Sequence, residues 1–560
     1  MSTNNNQSKH LVISPEAKHP NRRPPNNLTV SNSSNFGTFR NSSNARRSQP
    51  IKLSEIQSQT EGLYYSKPDW VSQKSARSGS QRGGSSFWKL GAKGSKKKDP
   101  VKASMKSYSH ASEGERDEKI LSLKKSIRNY QILMYMVAIN SACGNYIKNF
   151  VIFYLKSKLD INAADAAFLT GIINLPWSLK PIWGFISDSI SLFKYRFKSH
   201  ILIQCIAGIL SVLYFVIKPE PNTSEFVTCL TIFTISVTYV DSLAEGISAM
   251  ITKNEQRVRL LEVMNREQNE EKNDKNEPGQ ENSTKAFGMF NAIRSLVTGF
   301  MMLLGGYMAT VQPLSVSGMI LSIWPTVMIL VVLFVFKEER KDSWFMGCKM
   351  FRMGVSSTVK AILIPEVFFP FIFMVIALSA PSTYPEFSYV LLGPGGLSFN
   401  DYNTITFFSQ FMVSIVLFIV IKLGDYLPFN QIILLAQFFS SAAVVFGGLC
   451  LYTDYFPPYT FSVFWVFIIV SLILGQNIYY VSLAGRISKY LPEGYECTGI
   501  TTVVSATALA VNVNGYFAKP YLNYFEVKDG YYERLQTPQF ISSAFQIFFV
   551  LITTLFGFMK

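Results

Sequence analysis

Histidine is almost missing from this chain: there are four in 560 residues, and His10, His19 and His110 all precede the first apolar run, leaving His200 alone in the remainder. The six cysteines (143, 205, 229, 348, 450 and 497) are scattered with no Cys-x-x-Cys pair, so neither a disulfide framework nor a zinc site is indicated. Ser-His-Asp hydrolysis and metal-assisted chemistry therefore lack their parts, and no Gly-x4-Gly-Lys-[Ser/Thr] loop is present to cradle a nucleotide phosphate. The chain reads as a non-enzyme without metal or cofactor. Acidic residues are also scarce, but only locally. Residues 1–128 hold 24 Lys and Arg against 9 Asp and Glu, a net +15, whereas residues 129–560 hold 29 against 28, a net +1. A pI near 9.3 would otherwise suggest nucleic-acid binding. With the basicity confined to one end, and the rest apolar and nearly neutral, the composition points to a membrane protein with a basic tail and no nucleic-acid partner.

The segment 1–128 is rich in Asn, Ser, Gly, Lys and Arg and has few aliphatic residues, so it buries too little apolar area to offset its chain entropy and is expected to be disordered. It shows no short apolar core behind a charged start, as a secretory signal would. A transit peptide is the alternative, because residues 1–54 carry a single acid, Glu16. The basic cluster Lys96-Lys97-Lys98 suits either a solvated topogenic tail or attraction to anionic lipid headgroups.

Beyond residue 128, twelve apolar stretches are long enough to cross about 30 Å of hydrocarbon as helices. They lie near 131–154, 163–186, 200–217, 225–247, 286–309, 315–336, 362–381, 403–423, 428–451, 460–484, 496–518 and 538–558. The expected fold is an all-α membrane protein of twelve transmembrane helices in two six-helix halves, 129–336 and 362–560, with a polar insertion at 252–285 and a linker at 337–361. With the tail in the cytosol, the short inner loops carry eleven Lys and Arg and the outer loops six, which favours both termini inside. Asn222-Thr-Ser, a glycosylation triplet, would then face outward. The plasma membrane is the expected location, with an organellar membrane as the alternative and membrane lipids as partners.

Ionisable residues inside hydrocarbon are costly, so they mark candidate function. Thr234, Thr238, Asp241 and Glu245 recur at helical spacing on one face of the fourth span, and Asn291, Arg294 and Thr298 on one face of the fifth. Arg294 is a natural partner for Asp241 or Glu245, either as a static pair or as one that opens during a transport cycle. The second span holds Leu175-Pro176-Trp177-Ser178-Leu179-Lys180-Pro181, in which two prolines should bend or loosen the helix. Lys180 either snorkels to the interface or points into a cavity to meet an anion. Gly184, Asp188, Lys194 and Arg196 follow, a helix-end carboxylate and a basic turn able to latch two helix ends in one state. Gly424-Asp425 is a weak echo in the second half. Asn140 in the first span, Tyr480 in the tenth and Asn512 in the eleventh can line a polar cavity or bond across helices.

The run Leu175-Pro176-Trp177-x2-Lys180-Pro181-x2-Gly184-x2-Ser187-Asp188, followed by Tyr195-Arg196, resembles the signature of the folate-biopterin transporter family, a branch of the major facilitator superfamily. Asp241, Pro381-Ser382 and Pro492-x-Gly494-x-Glu496-x-Thr498 match further family positions. Where the family has Gly before Tyr195, this chain has Lys194. The resemblance covers the twelve stretches and not the tail. It implies secondary active transport of folate, pterin or a related small anion by alternating access, with protons as co-substrate. Trp177, Lys180, Arg294, Asn140, Tyr480 and Asn512 would then bind substrate, Asp241 and Glu245 would carry protons, and Gly184, Asp188, Lys194, Arg196 and Glu496 would form a gate. Two other readings stay open from the residues alone: a major facilitator for an amino acid, nucleoside or methyl donor, and a non-transporting receptor or scaffold.

Overall fold

The computed structural model describes residues 113–558, apart from 160, 162, 270–284, 339, 341–347, 380–398, 424–428, 453–461, 489, 492–493 and 526–535. The expected disordered tail up to residue 112, residues 270–284 of the 252–285 insertion, Pro381-Ser382 and Gly424-Asp425 therefore lie outside the described residues. Among the described residues there are fifteen α-helices: α1 (Glu113–Gly144), α2 (Tyr146–Ser157), α3 (Ala163–Ser178), α4 (Lys180–Ser189), α5 (Lys198–Ile217), α6 (Thr223–Asn269), α7 (Lys285–Val311), α8 (Leu314–Leu330), α9 (Cys348–Ile362), α10 (Pro365–Ser379), α11 (Phe399–Leu423), α12 (Phe429–Tyr452), α13 (Ser462–Ser488), α14 (Glu496–Tyr524) and α15 (Gln536–Phe558). Helix falls on each of the twelve apolar stretches. Among the described residues, five helices are long and apolar enough to cross a membrane, or six if the pair 354–362 and 367–379, bent by 78°, counts as one span.

Two of the expected spans are broken, each for a local reason. Pro181 has no N–H to give the carbonyl four residues back, and its ring crowds that carbonyl. The second span parts there, with α3 ending at Ser178 and α4 starting at Lys180, the turn closed by Leu179 N–H on Pro176 O at 3.1 Å. The first span parts at Asn145, whose N–H bonds Ala142 O at 3.0 Å.

Helix α1 begins at Glu113, ahead of the tail boundary expected at 128, and α6 runs on to Asn269, into the segment expected to be a polar insertion. The two extensions pack on each other. Ile120 and Ile127 on α1 and Val258 and Leu261 on α6 are buried in one apolar cluster, flanked by Lys124–Glu262 at 2.8 Å and Asn265–Asp117 at 2.9 Å. Seven-residue spacing of isoleucines among charges is a weak apolar signal in sequence, yet sufficient when a second helix supplies the matching seam. At its other end α6 is capped reciprocally: Glu225 N–H donates to Asn222 Oδ1 at 2.9 Å and Asn222 N–H to Glu225 Oε2 at 3.0 Å. The 337–361 linker also contains helix α9.

Two of the three apolar clusters are built almost entirely from residues before 337, and the third mainly from residues after 360. Between these groups, α7 packs on α11, and α14 packs on α3, α4 and α6.

Candidate substrate site and gate

Lys180, placed at the start of α4 by the proline break, turns inward and is 2% exposed. Its Nζ lies 2.5 Å from Asp241 Oδ2 and 2.5 Å from Glu245 Oε1, both carboxylates fully buried on α6. Arg294 on α7 completes a quartet, with Nη1 3.4 Å from Asp241 Oδ2 and Nη2 donating to Asn291 Oδ1. The formal charges cancel. Two cations and two carboxylates away from water are tolerable only because each has a partner, since an isolated buried ion costs several kcal/mol. Partnership is nonetheless incomplete. Asp241 Oδ1, Glu245 Oε2, Asn140 Oδ1, Ser141 Oγ, Thr238 Oγ1 and Tyr480 Oη are buried with no hydrogen-bond partner among the described residues. Arg294 is the one member of the quartet with an appreciably exposed side chain, at 18%. Its guanidinium lies over the rings of Phe290 and Tyr480, 5.3 and 5.7 Å from their centroids, so the quartet touches α13 as well as α4, α6 and α7. Trp177 stands over the Lys180 ammonium, which is 4.8 Å from the ring centroid.

A second charged cluster sits at the far end of α4, beside Lys253 on α6 and where α14 begins. Arg196 Nη2 donates to Asp188 Oδ1 at 2.5 Å and to Glu496 Oε2 at 2.9 Å. Asp188 Oδ2 accepts from Thr498 N–H at 2.7 Å and from its hydroxyl at 2.8 Å. Lys253 Nζ reaches Glu496 Oε1 at 3.1 Å and Leu491 O at 2.8 Å. A Cβ on Gly184 would come within 2.8 Å of Cys497 O, and one on Gly246 within 2.9 Å of Cys497 Cα, so both glycines are needed for α14 to lie this close to α4 and α6. The Arg196 loop is itself held by Glu338, whose carboxylate accepts the N–H groups of Arg196, Phe197 and Lys198 at 2.8 to 3.2 Å and so caps α5.

Of the residues singled out in sequence, Lys180, Asp241, Glu245, Arg294, Trp177 and Tyr480 come together in one centre. Asn140 is buried, with an unpartnered oxygen, and the side chain of Asn512 lies outside the described residues. Gly184, Asp188, Arg196 and Glu496 meet in the second cluster. Lys194 does not join it. Its side chain is exposed, and its φ of 68° is the left-handed conformation that suits glycine, the residue the family resemblance places there. Thr498 was marked by the family resemblance without a role; Lys253, Cys497 and Glu338 were not anticipated. Lys253 had a readable signal, lying eight residues after Glu245 on the same helix; Glu338, 142 residues from Arg196, had none.

The architecture is shared with the human organic anion transporter MFSD10 (TETRAN), whose crystal structure matches with a TM-score of 0.53 and 11% identity over 76% of this chain and 99% of that one. The chain thus shares the fold of that protein. Residues 144–260, which hold the second-span run, Asp241, Glu245 and Lys253, match the BT1 family. The folate-biopterin transporter of Synechocystis is 31% identical over 114 residues, 20% of this chain and 22% of that protein. Folate transporter 1 of Plasmodium falciparum is 31% identical over 83 residues, 15% and 16% of the two chains. The probable folate-biopterin transporter 2 of Arabidopsis thaliana is 26% identical over 62 residues, 11% and 12%. The matches span between 12% and 22% of these relatives. Over these stretches the chain resembles the folate-biopterin transporters.

Proposed function

We propose that this chain is a secondary active transporter that moves a folate, pterin or related small anionic metabolite across a membrane by alternating access, with protons as co-substrate. The reading takes the twelve helical stretches as twelve spans in two halves, with both termini in the cytosol and the plasma membrane as the location. The observation that carries it is the quartet. Four buried charges with two unpartnered carboxylate oxygens are a poor device for stability alone and a good one for exchanging partners.

Arg294 is the part of the quartet open to a ligand, and a guanidinium binds a carboxylate through paired charge-assisted bonds. An arriving substrate carboxylate competes with Asp241 for Arg294. Asp241, losing one of its two cations, then takes up a proton, and Glu245, paired with Lys180, is the second carrier. Moving a dianion into a cell at about −100 mV costs about 4.6 kcal/mol, at roughly 2.3 per charge, and two protons entering with it cancel that charge. Lys180 keeps the two carboxylates together while the protons move. The Asp188–Arg196–Glu496–Lys253 cluster is then the cytosolic gate in its closed state, and its ion pairs must part for release.

Uptake of labelled folate, pterin and p-aminobenzoate into vesicles, with and without an inward proton gradient, tests the reading. Accumulation of a folate or pterin that collapses with the gradient is expected. Accumulation of none of them, or accumulation indifferent to protons, overturns the substrate or the coupling respectively.

A further inference from the structure

Residues 354–362 of α9 and 367–379 of α10 are bent from one another by 78°, and the cause is local. Pro365 opens α10 with no N–H to give, and it disfavours helical backbone at Ile364. The carbonyl of Ile364 accepts Val367 N–H at 2.9 Å and Phe368 N–H at 2.8 Å, which starts the second helix in its new direction. We propose that α9 lies along the cytosolic surface of the membrane and binds anionic phospholipid headgroups on the side that carries Lys360, with its apolar side at the acyl boundary. The inference rests on the reading above, in which α10 belongs to a membrane span and the gate faces the cytosol.

The gate sets the level of α9. Gly354 is buried against the ring of Tyr495, which a Cβ at that position would strike, and Tyr495 directly precedes Glu496. A helix at that level, turned so far from one that crosses the bilayer, runs close to the plane of the interface. Its sides then separate at helical spacing. Gly354, Thr358 and Ala361 are buried. Val355, Val359 and, one residue past the helix, Leu363 form the apolar stripe, exposed by 37, 48 and 56%. Ser356 and Lys360, four apart and both exposed, flank that stripe. An exposed apolar stripe beside a basic one is costly in water and favourable where acyl chains meet headgroups.

Charge selects the occupant. Positions 348–362 hold Lys349, Arg352 and Lys360 and no Asp or Glu, and 349, 352, 356 and 360 share one side of the helical register. Lys360 makes no hydrogen bond or ion pair among the described residues, so its ammonium is free to meet an anion. The chain's own segment 1–128, at net +15, is repelled by such a helix. A leaflet containing phosphatidylserine attracts it, by about fivefold in affinity for each basic residue near the surface.

The test is amide hydrogen exchange, read by mass spectrometry over residues 348–362, in the full-length protein reconstituted into vesicles of phosphatidylcholine alone or mixed with phosphatidylserine. Adding phosphatidylserine should slow exchange in the wild type by about tenfold or more, and Lys360→Gln should cut that ratio about fivefold. Val359→Asp, which puts a charge at the acyl boundary, should speed exchange about tenfold in both vesicles. Both substitutions are on exposed sides of α9; thermal melting checks the fold, and α5 in the same digests is the internal reference. No response to phosphatidylserine in the wild type, or a response that Lys360→Gln leaves intact, overturns the headgroup site. No effect of Val359→Asp overturns the seating of the helix. Equal slowing by inorganic phosphate in phosphatidylcholine vesicles assigns the basic side to a soluble anion and overturns the choice of lipid. Lipid-dependent protection in vesicles that take up no folate or pterin removes the transport reading and leaves this inference standing; uptake without a lipid response does the reverse.

Discussion

Two buried polar centres in this molecule are built on opposite principles. The quartet around Lys180 gathers full charges from α4, α6 and α7 and leaves carboxylate oxygens without partners. The other centre joins α10, α12, α13 and α15 with no charge at all. Tyr479 Oη donates to Gln437 Oε1 at 2.6 Å, Gln437 Nε2 donates to Gln546 Oε1 and Ser441 Oγ at 3.1 Å each, and Gln546 Nε2 donates to Ala377 O at 3.1 Å. Each of these amide groups finds a complement inside the protein, so nothing is left to recruit a ligand or a proton. Burial of polar groups is therefore not itself a sign of function. What separates a working centre from a structural one is charge together with unmet valence, because only then does an arriving partner lower the free energy.

The comparison is broken most severely at Asp241. Asp241→Asn keeps shape and most hydrogen bonding but removes one carboxylate, leaving the quartet with an excess positive charge and no proton site there. Concentrative uptake is expected to be abolished, while exchange of labelled for unlabelled substrate survives. A variant that still accumulates substrate against its gradient would remove Asp241 from proton coupling.

The gate offers the next largest effect. Arg196→Ala strips Asp188 and Glu496 of their shared cation, and breaking a buried pair from one side costs about 3 to 5 kcal/mol in the closed state. Cys497, fully buried beneath this network, then becomes a reporter. A maleimide should label it at least tenfold faster in Arg196→Ala than in the wild type, and that increase should vanish when Cys497 is also replaced by alanine. Unchanged labelling would mean that glycine-mediated packing alone, at Gly184 and Gly246, keeps the two groups of helices shut.

How far these centres were legible in sequence follows from their geometry. Asp241 and Glu245 share a helix face, and helical periodicity alone places them together. The Arg294 pairing was legible as opposite charges on consecutive spans. Whether Lys180 faces lipid headgroups or the interior is set by the break at Leu179 and the rotation it imposes, which a continuous-helix reading cannot supply. The Arg196–Glu496 contact, 300 residues apart, was carried by the family resemblance and not by any local pattern. Glu338 was hidden for a related reason: capping by a distant carboxylate leaves no spacing to read. The extensions of α1 and α6 were missed because each alone is too polar to be recognised as structured. The Gln437 network was also passed over, since neutral amides in apolar runs look alike whether or not they meet.

The ionic side also carries backbone strain. Lys194, with its φ of 68°, sits in a loop whose neighbours form the gate. A side chain there costs roughly 1 kcal/mol relative to glycine. Lys194→Gly is expected to raise stability by about that amount, read as a higher melting temperature, with substrate affinity unchanged. A lower melting temperature would show that the lysine side chain makes a compensating contact.

The smallest effect belongs to the neutral centre. Tyr479→Phe removes the hydroxyl that donates to Gln437 and nothing else, and single interhelical hydrogen bonds within membranes are worth about 0.6 kcal/mol on average. Melting in detergent should fall by that modest amount, with uptake within twofold of wild type, because the remaining amides can re-pair and no charge is exposed. A loss of uptake out of proportion to the loss of stability would place the amide network in the transport cycle. The neutral centre would then share the exchange of partners assigned to the quartet, and charge would no longer distinguish the two.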